Sequence, residues 1–482
     1  MQTSHDPARS EAVEGIAGLD LETVTVADVG SAMVSGRLRS RDLVDAYLAR
    51  IEALDRRGPS VHAIRVVAPD AHDQADARDA ERRAGQVRGP LHGVPVLVKD
   101  NIDIAGLPTT GGSLAFEHSV PDRDAGLISA LRSAGAVLLG KTNLTEMANF
   151  LTEGMPSGYS SLGGQVLNPY DVSLTPCGSS SGSGAAAALG LATVTVGTET
   201  DGSILCPSDA QSLVGLKPTL GLVSGTGILP IATSQDCAGP MCRSVDDAAA
   251  LLSAMTGRDL TLGPDDADLT GVRLALPPAP EDLHEDDREL FVAAVQVLRG
   301  LGAVVVEVPG LPDTDETPVL HHEFARDVDT YLATLPAGAP IRTMAQFAAW
   351  NDAHASEALK YGQSHVVAAL AIDHTRERTA YLAHRARDLA VAGEHGIDAA
   401  LRAAGAVAVL AASWHGAGPA ARAGYPSLVV PAGYRRSSRR PFGLSFLGTA
   451  GTERVLLGLG RAFERAAQAR RPVRDVNPAL FR

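Results

Sequence analysis

A chain of 482 residues with 45% apolar and 20% charged side chains carries enough apolar surface to offset its ordering entropy, which excludes a disordered protein. At about 150 residues per domain the length allows roughly three domains, and a core of that size needs no covalent staples. The 42 basic residues against 56 acidic ones, net −14, argue against a nucleic acid or an anionic membrane surface as partner.

Met1 to Gly15 is polar and acidic, without a basic start leading into an apolar run, so it does not read as a signal peptide. A flexible tail is expected over 1–20, followed by one large domain over 21–482. No apolar stretch reaches about 18 residues, so no membrane span is expected. Thr25-Val-Ala-Asp28 reads as a capping box opening a helix that stops at Gly36. A second helix carries Leu43, Tyr47, Leu48, Ile51 and Leu54 on one face, and a charged, Ala-rich helix is expected at about 70–84. From Gly89-Pro90 onward, short aliphatic runs alternate with Gly/Ser loops and Ala-rich helices. Val94–Val98, Ala136–Leu139 and Thr193–Val196 are such runs, and their texture indicates a sheet buried on both faces. Further strands are expected at Val272–Leu276, Ala303–Val308, Ala406–Leu410, Ser427–Val430 and Gly443–Leu447, with helices at about 285–300 and 342–395. Asp259–Asp268 is the most linker-like stretch, yet strands resume after it, so the chain reads as a single α/β unit with a mixed sheet covered by helices on both faces.

Several motifs compete for a chemical reading. Cys177, Cys206, Cys237 and Cys242 form no CxxC pair, match neither a disulfide scaffold nor a zinc site, and read as four reduced thiols in a cytoplasmic protein. Gly135-Ala-Val-Leu-Leu-Gly-Lys-Thr142 fits the phosphate-loop pattern letter for letter, but its middle is a strand rather than a curl of free N–H groups. Gly178-Ser-Ser-Ser-Gly182 matches the hydrolase elbow, yet it follows a Pro-containing loop and not a strand. It runs instead into the Ala-rich helix from Gly184, which suits close approach of a backbone to a ligand. His321-His322-Glu323 places adjacent side chains about 100° apart on a helix, poor for chelation, and reads as surface histidines.

Lysine stands only at 99, 141, 217 and 360, the other basic residues being Arg. A retained Lys is therefore a candidate for a compact amine that can lose its proton. Lys99 ends the apolar run of Gly93-Val-Pro-Val-Leu-Val-Lys99-Asp100, where desolvation disfavours the ammonium. Ser203 lies on the Gly/Ser turn of Gly197-Thr-Glu-Thr-Asp-Gly-Ser203-Ile204, beside several backbone N–H groups. Neither segment contains His, so a Ser nucleophile there needs another base, and Lys99 is the candidate.

Together these three segments resemble the amidase signature family, most specifically over about 89–245. The likeness continues through Gly215–Val223, Ser234–Met241 and Gly424–Gly433. The family uses a Lys, a Ser in cis-peptide geometry and a Ser nucleophile, which the resemblance assigns to Lys99, Ser179 and Ser203, the last two 24 residues apart. It implies an oxyanion hole of the backbone N–H groups of Thr200, Asp201, Gly202 and Ser203, with Ser180 supporting the network. Cys177-Gly-Ser-Ser-Ser-Gly-Ser183 departs from the usual loop wording. Glu199-Thr-Asp-Gly-Ser-Ile-Leu205 has Leu205 where many members carry Arg, which weighs against a small carboxylate substrate. That wording looks like the bacterial peptide amidase branch, as does Tyr361-Gly-Gln363.

The resemblance implies an amidase without metal or cofactor that cleaves a carboxamide C–N bond through an acyl-enzyme, acting on peptide C-terminal amides in the first instance. Aryl amides or carbamates on the same machinery, the amidase subunit of a tRNA-dependent amidotransferase, and a non-catalytic binding protein are the alternatives. The expected state is a cytoplasmic monomer or homodimer.

Overall fold

The computed structural model describes residues 15–263, 266, 268–313 and 315–481. Residues 1–14 of the expected tail and 264, 265 and 267 of the linker-like stretch lie outside the described residues. The rest of the expected tail is not loose. Gly15–Ile16 pairs antiparallel with Leu19–Asp20, and Arg474 forms an ion pair with Asp20, while the buried Arg50 holds Glu22 at 2.8 Å.

Eleven strands form one mixed sheet: β1 Ile64–Val67, β2 Pro95–Lys99, β3 Val137–Thr142, β4 Val194–Glu199, β5 Val214–Lys217, β6 Cys237–Cys242, β7 Arg273–Leu276, β8 Val304–Glu307, β9 Ala408–Ala412, β10 Ser427–Tyr434 and β11 Pro441–Leu447. Their order across the sheet is β8-β7-β9-β11-β10-β5-β6-β4-β2-β3-β1. The central strands β2, β3, β4, β6 and β11 are buried along their whole length, as a sheet covered by helices on both faces demands. All the strands expected from aliphatic runs form, with ends moved by a few residues. Three others, β1, β5 and β6, lack such a run.

The helices follow local chemistry. Thr25 and Asp28 cap Val26–Val34 reciprocally, as the capping box predicts. Helix Ser181–Ala188, Ser-Gly-Ser-Gly followed by four Ala, is wholly buried. Its small residues let its backbone lie directly on neighbouring chain: a Cβ on Gly182 would sit 2.3 Å from the Asn143 carbonyl oxygen. Ser183 Oγ anchors this helix to the Val196 carbonyl of β4 at 3.0 Å. Helix Thr317–Thr334, which carries His321-His322-Glu323, supplies carboxylates to the loop before β6: Asp327 accepts from Thr233 N (2.8 Å) and Glu323 from Ser234 N (3.0 Å).

Candidate active site

Sheet direction decides which residues meet. Strands β2 and β4 are parallel neighbours with Val98 opposite Val196, so their carboxyl ends share one edge and bring Lys99 beside Thr198 and Glu199. Strand β6 runs antiparallel to β4 with Cys237 opposite Glu199, which delivers the preceding residue, Asp236, to that same edge. The carboxyl edge of parallel strands is where such sheets bind ligands.

Lys99 is fully buried. Its Nζ lies 2.7 Å from Ser179 Oγ, 2.9 Å from Thr198 Oγ1 and 3.1 Å from the Thr198 carbonyl oxygen. Asn101 Nδ2 donates to Thr198 Oγ1 (3.0 Å) and to the Leu229 carbonyl (3.2 Å). Burial pulls the Lys99 amine down to about 7, and the Asp236 and Glu199 carboxylates act against it. Asp236 is itself raised to about 7 by burial, although Thr200 Oγ1 and the N–H groups of Ile231 and Ala232 donate to it. A neutral amine at moderate pH, aimed at a serine hydroxyl, is the chemical capacity of this corner.

Ser179 follows a cis Gly178–Ser179 peptide and its carbonyl accepts from Thr145 N at 3.0 Å. Ser180 is tied to β4 through its hydroxyl, which donates to the Thr198 carbonyl (3.0 Å) and accepts from Thr198 N (3.1 Å). Ser203 sits on the turn between β4 and helix Leu205–Ala210, 7% exposed, and its carbonyl accepts from Ser180 N at 3.2 Å. Gly202 has φ +80°, and a Cβ there would press on the Trp414 ring at 3.2 Å, so both conformation and space demand glycine. The buried Glu199 carboxylate accepts from Ile204 N (2.7 Å) and Leu205 N (2.9 Å), fixing the chain just past Ser203. Glu199→Gln retains a carbonyl oxygen for both donors and is expected to melt close to the wild type. Glu199→Ala abandons two buried N–H groups and is expected to lose about 2–5 kcal/mol in a denaturation experiment.

One expectation fails here. Cys177 and Cys206 form a disulfide, with Cα atoms 5.8 Å apart; Cys237 and Cys242 are free and buried. Nothing in the linear spacing pairs them. They meet because the Ser179 loop and the Ser203 turn fold onto each other.

The surroundings are carboxylate-rich. Asp201 lies 3.6 Å from Arg422, whose guanidinium also pairs with Asp313 and Glu316; burial raises both Asp201 and Glu316. Beside Thr198 and Thr200 opens a cavity of about 100 Å³, lined also by Asn101, Ala148, Asp236 and Cys237. Asn101 Oδ1 is buried with no hydrogen-bond partner among the described residues. On the cavity's rim Met147, Ala148 and Asn149 all have left-handed backbones, φ 49°, 55° and 72°, a costly run of the kind concentrated at functional sites. Of the two histidines read as surface groups, His322 is buried and stacked on Tyr381 (centroids 4.1 Å), whereas His321 is half-buried, its Nε2 2.9 Å from His365 Nδ1. Lys141 of the phosphate-loop look-alike is a buried partner of Asp100 at 2.8 Å, within strand β3.

Sequence reasoning missed Thr198, Asn101 and Asp236 as parts of this corner. Asn101 had a signal, standing two residues after the strand-end lysine.

A family profile described as Amidase matches residues 42–457. A probable amidase of Arabidopsis thaliana is 35% identical, over 94% of this chain and 91% of that protein. The solved native peptide amidase from Stenotrophomonas maltophilia is 44% identical with a TM-score of 0.88, covering 93% of this chain and 98% of the other. One component of the glutamyl-tRNA(Gln) amidotransferase of Halorhodospira halophila is 40% identical over 59% of this chain and 60% of its own length. The chain belongs to the amidase family. It is a hydrolase of carbon–nitrogen bonds other than peptide bonds, on the α/β amidase-signature fold.

Proposed function

We propose that the enzyme hydrolyses a carboxamide through an acyl-enzyme on Ser203, with Ser179 as proton relay and Lys99 as base. The observation that carries this reading is the fully buried Lys99 amine held 2.7 Å from Ser179 Oγ. Neutral Lys99 accepts the Ser179 proton as Ser179 accepts that of Ser203, and Ser203 Oγ attacks the carbonyl carbon. The N–H groups of Thr200, Asp201, Gly202 and Ser203 take the negative charge that develops on the substrate oxygen. Donors fixed beforehand cost no reorganisation, and loss of one slows such reactions about 10²–10³-fold. The proton returns through Ser179 to the leaving nitrogen, and water then cleaves the ester by the same route. Ser180, bonded at two atoms to Thr198, holds the relay loop against β4.

As substrate we assign a peptide C-terminal amide, supported by the end-to-end likeness to the Stenotrophomonas maltophilia enzyme. Aryl amides and carbamates would use the same residues. The reading as one component of an amidotransferase rests on likenesses that span about three fifths of both chains. The cystine favours an oxidising compartment over the cytoplasm, where thiols are kept reduced.

A fluorophosphonate should add one label, on Ser203, and ammonia should be released from peptide amides by the purified chain alone. Peptide mapping that places the label on Ser180 would overturn the assignment in favour of an elbow-type hydrolase.

A further inference from the structure

The Cys177–Cys206 bond spans the site rather than lying beside it. Cys177 stands two residues before Ser179, and Cys206 three residues after Ser203, so one covalent link ties the relay loop to the turn that carries the nucleophile. The direct hydrogen bond between the two segments is Ser180 N to the Ser203 carbonyl, at 3.2 Å. Around it, Ser180 bonds twice to Thr198 and Gln211 Nε2 donates to the Pro176 and Ser181 carbonyls, while Ser179 itself bonds to Thr145 and Lys99 and the Ser203 turn to Glu199. Cys177 also holds a left-handed backbone, φ 54°, unusual for a residue with a Cβ, and the bond to Cys206 constrains the chain there. Proton transfer between Ser179 and Ser203 requires hydrogen-bond reach, and a misplacement near 1 Å is enough to cost about 10²-fold in rate.

We propose that Cys177–Cys206 is a redox-sensitive positioning element: the disulfide sets Ser179 against Ser203, and its reduction reversibly switches the enzyme down. This rests on the nucleophile and relay assigned above. A dithiol supplies the chemistry. Its thiolate attacks one sulfur to give a mixed disulfide, and its second thiol closes the reagent's own disulfide. Two protein thiols are left, with two electrons and two protons transferred. Cys177 is half-exposed while Cys206 is buried, so the reagent meets Cys177 first. Cys237 and Cys242 are already thiols, and reductant leaves them unchanged. In a reducing compartment the enzyme stays folded and slow; in an oxidising one it is competent.

The test measures thiol content, turnover of a peptide amide and the rate of fluorophosphonate labelling before reduction, after dithiothreitol, and after reoxidation. Unfolded oxidised protein should titrate two thiols and reduced protein four. Reduction should lower kcat and the labelling rate about 10²-fold, with KM moved far less and a near-unchanged circular dichroism spectrum. Reoxidation should restore both rates. A Cys177→Ser/Cys206→Ser double variant should match the reduced enzyme and ignore reductant. Equal labelling and turnover with two and with four thiols would overturn the switch while leaving the nucleophile standing. Four thiols in the protein after exposure to oxidised glutathione would also overturn it. Absence of a Ser203 label in either state would overturn the nucleophile assignment, and the switch with it.

Discussion

Lys99→Arg should be as inactive as Lys99→Ala, each losing about 10²–10⁴-fold in kcat/KM, the usual worth of a positioned base. The pairing discriminates because arginine keeps the charge and part of the reach but does not give up its proton near neutral pH. A lysine that only held structure or substrate by charge would be partly rescued by Arg. In the wild type, the free enzyme's base must be deprotonated. Burial has already lowered the Lys99 amine to about 7, so kcat/KM should rise through a single ionisation near neutral pH and level off in mildly alkaline buffer. An unperturbed lysine, near 10.4, would instead leave activity still climbing above pH 9. Removing the charge of Asp236 or Glu199, both of which favour the ammonium, should move that rise to lower pH. A folded Lys99→Arg enzyme with substantial turnover would end the Ser–Ser–Lys reading.

Ser179→Ala should remove the relay and leave the ends of the path in place. Lys99 would keep its two contacts with Thr198, and the Glu199-capped turn bearing Ser203 makes no use of the Ser179 hydroxyl. Substrate binding should therefore persist while kcat falls about 10²–10⁴-fold. Fluorophosphonate labelling of Ser203 should slow in parallel, since the same proton must leave Ser203 when the reagent adds. Combining Ser179→Ala with Lys99→Ala should cost little beyond either alone, because the two act as one unit. A Ser179→Ala enzyme with near wild-type kcat would remove Ser179 from the mechanism.

Much of this corner is legible in the sequence because it uses strand ends. A polar residue closing an aliphatic run stands at the edge of a buried sheet, and Lys99 and the Glu199–Ser203 turn both announce themselves that way. The scarcity of lysine is also informative: Lys99, Lys141 and Lys217 are fully buried, and Lys360 lies over the Tyr159 ring, 5.1 Å from its centroid. Yet scarcity alone does not separate a base from a structural cation, since Lys141 is held by Asp100, Thr109 and the Pro108 carbonyl. What stayed hidden depends on strand β6. Its sequence, Cys-Ala-Gly-Pro-Met-Cys, has a proline that donates no ladder hydrogen bond and a glycine that weakens a strand, so it reads as loop. Without β6 there is no reason to bring Asp236 to the lysine. The cystine was hidden for a related reason: its partners are 29 residues apart, and only the folding of one loop onto the next makes them neighbours. The burial of His322 stayed hidden because its ring partner Tyr381 lies 59 residues further along the chain, outside helix Thr317–Thr334.

The order of the strands also bears on how this enzyme comes into being. Lys99 reaches Ser179 across 80 residues and Thr198 across 99, and the strand that lies between β4 and β5 is made later in the chain than either. Helix Val26–Val34 carries its own capping box, and helix Ala71–Arg83 is built from residues close in sequence, so their hydrogen bonds are local. The catalytic edge has no local precursor of that kind: it comes together only after several long loops have closed, and such non-local pairing slows folding. A chain that has not made these pairings lacks the edge on which Lys99, Ser179 and Thr198 meet. On refolding, hydrolytic activity is therefore expected to return no sooner than the long-range strand pairing does.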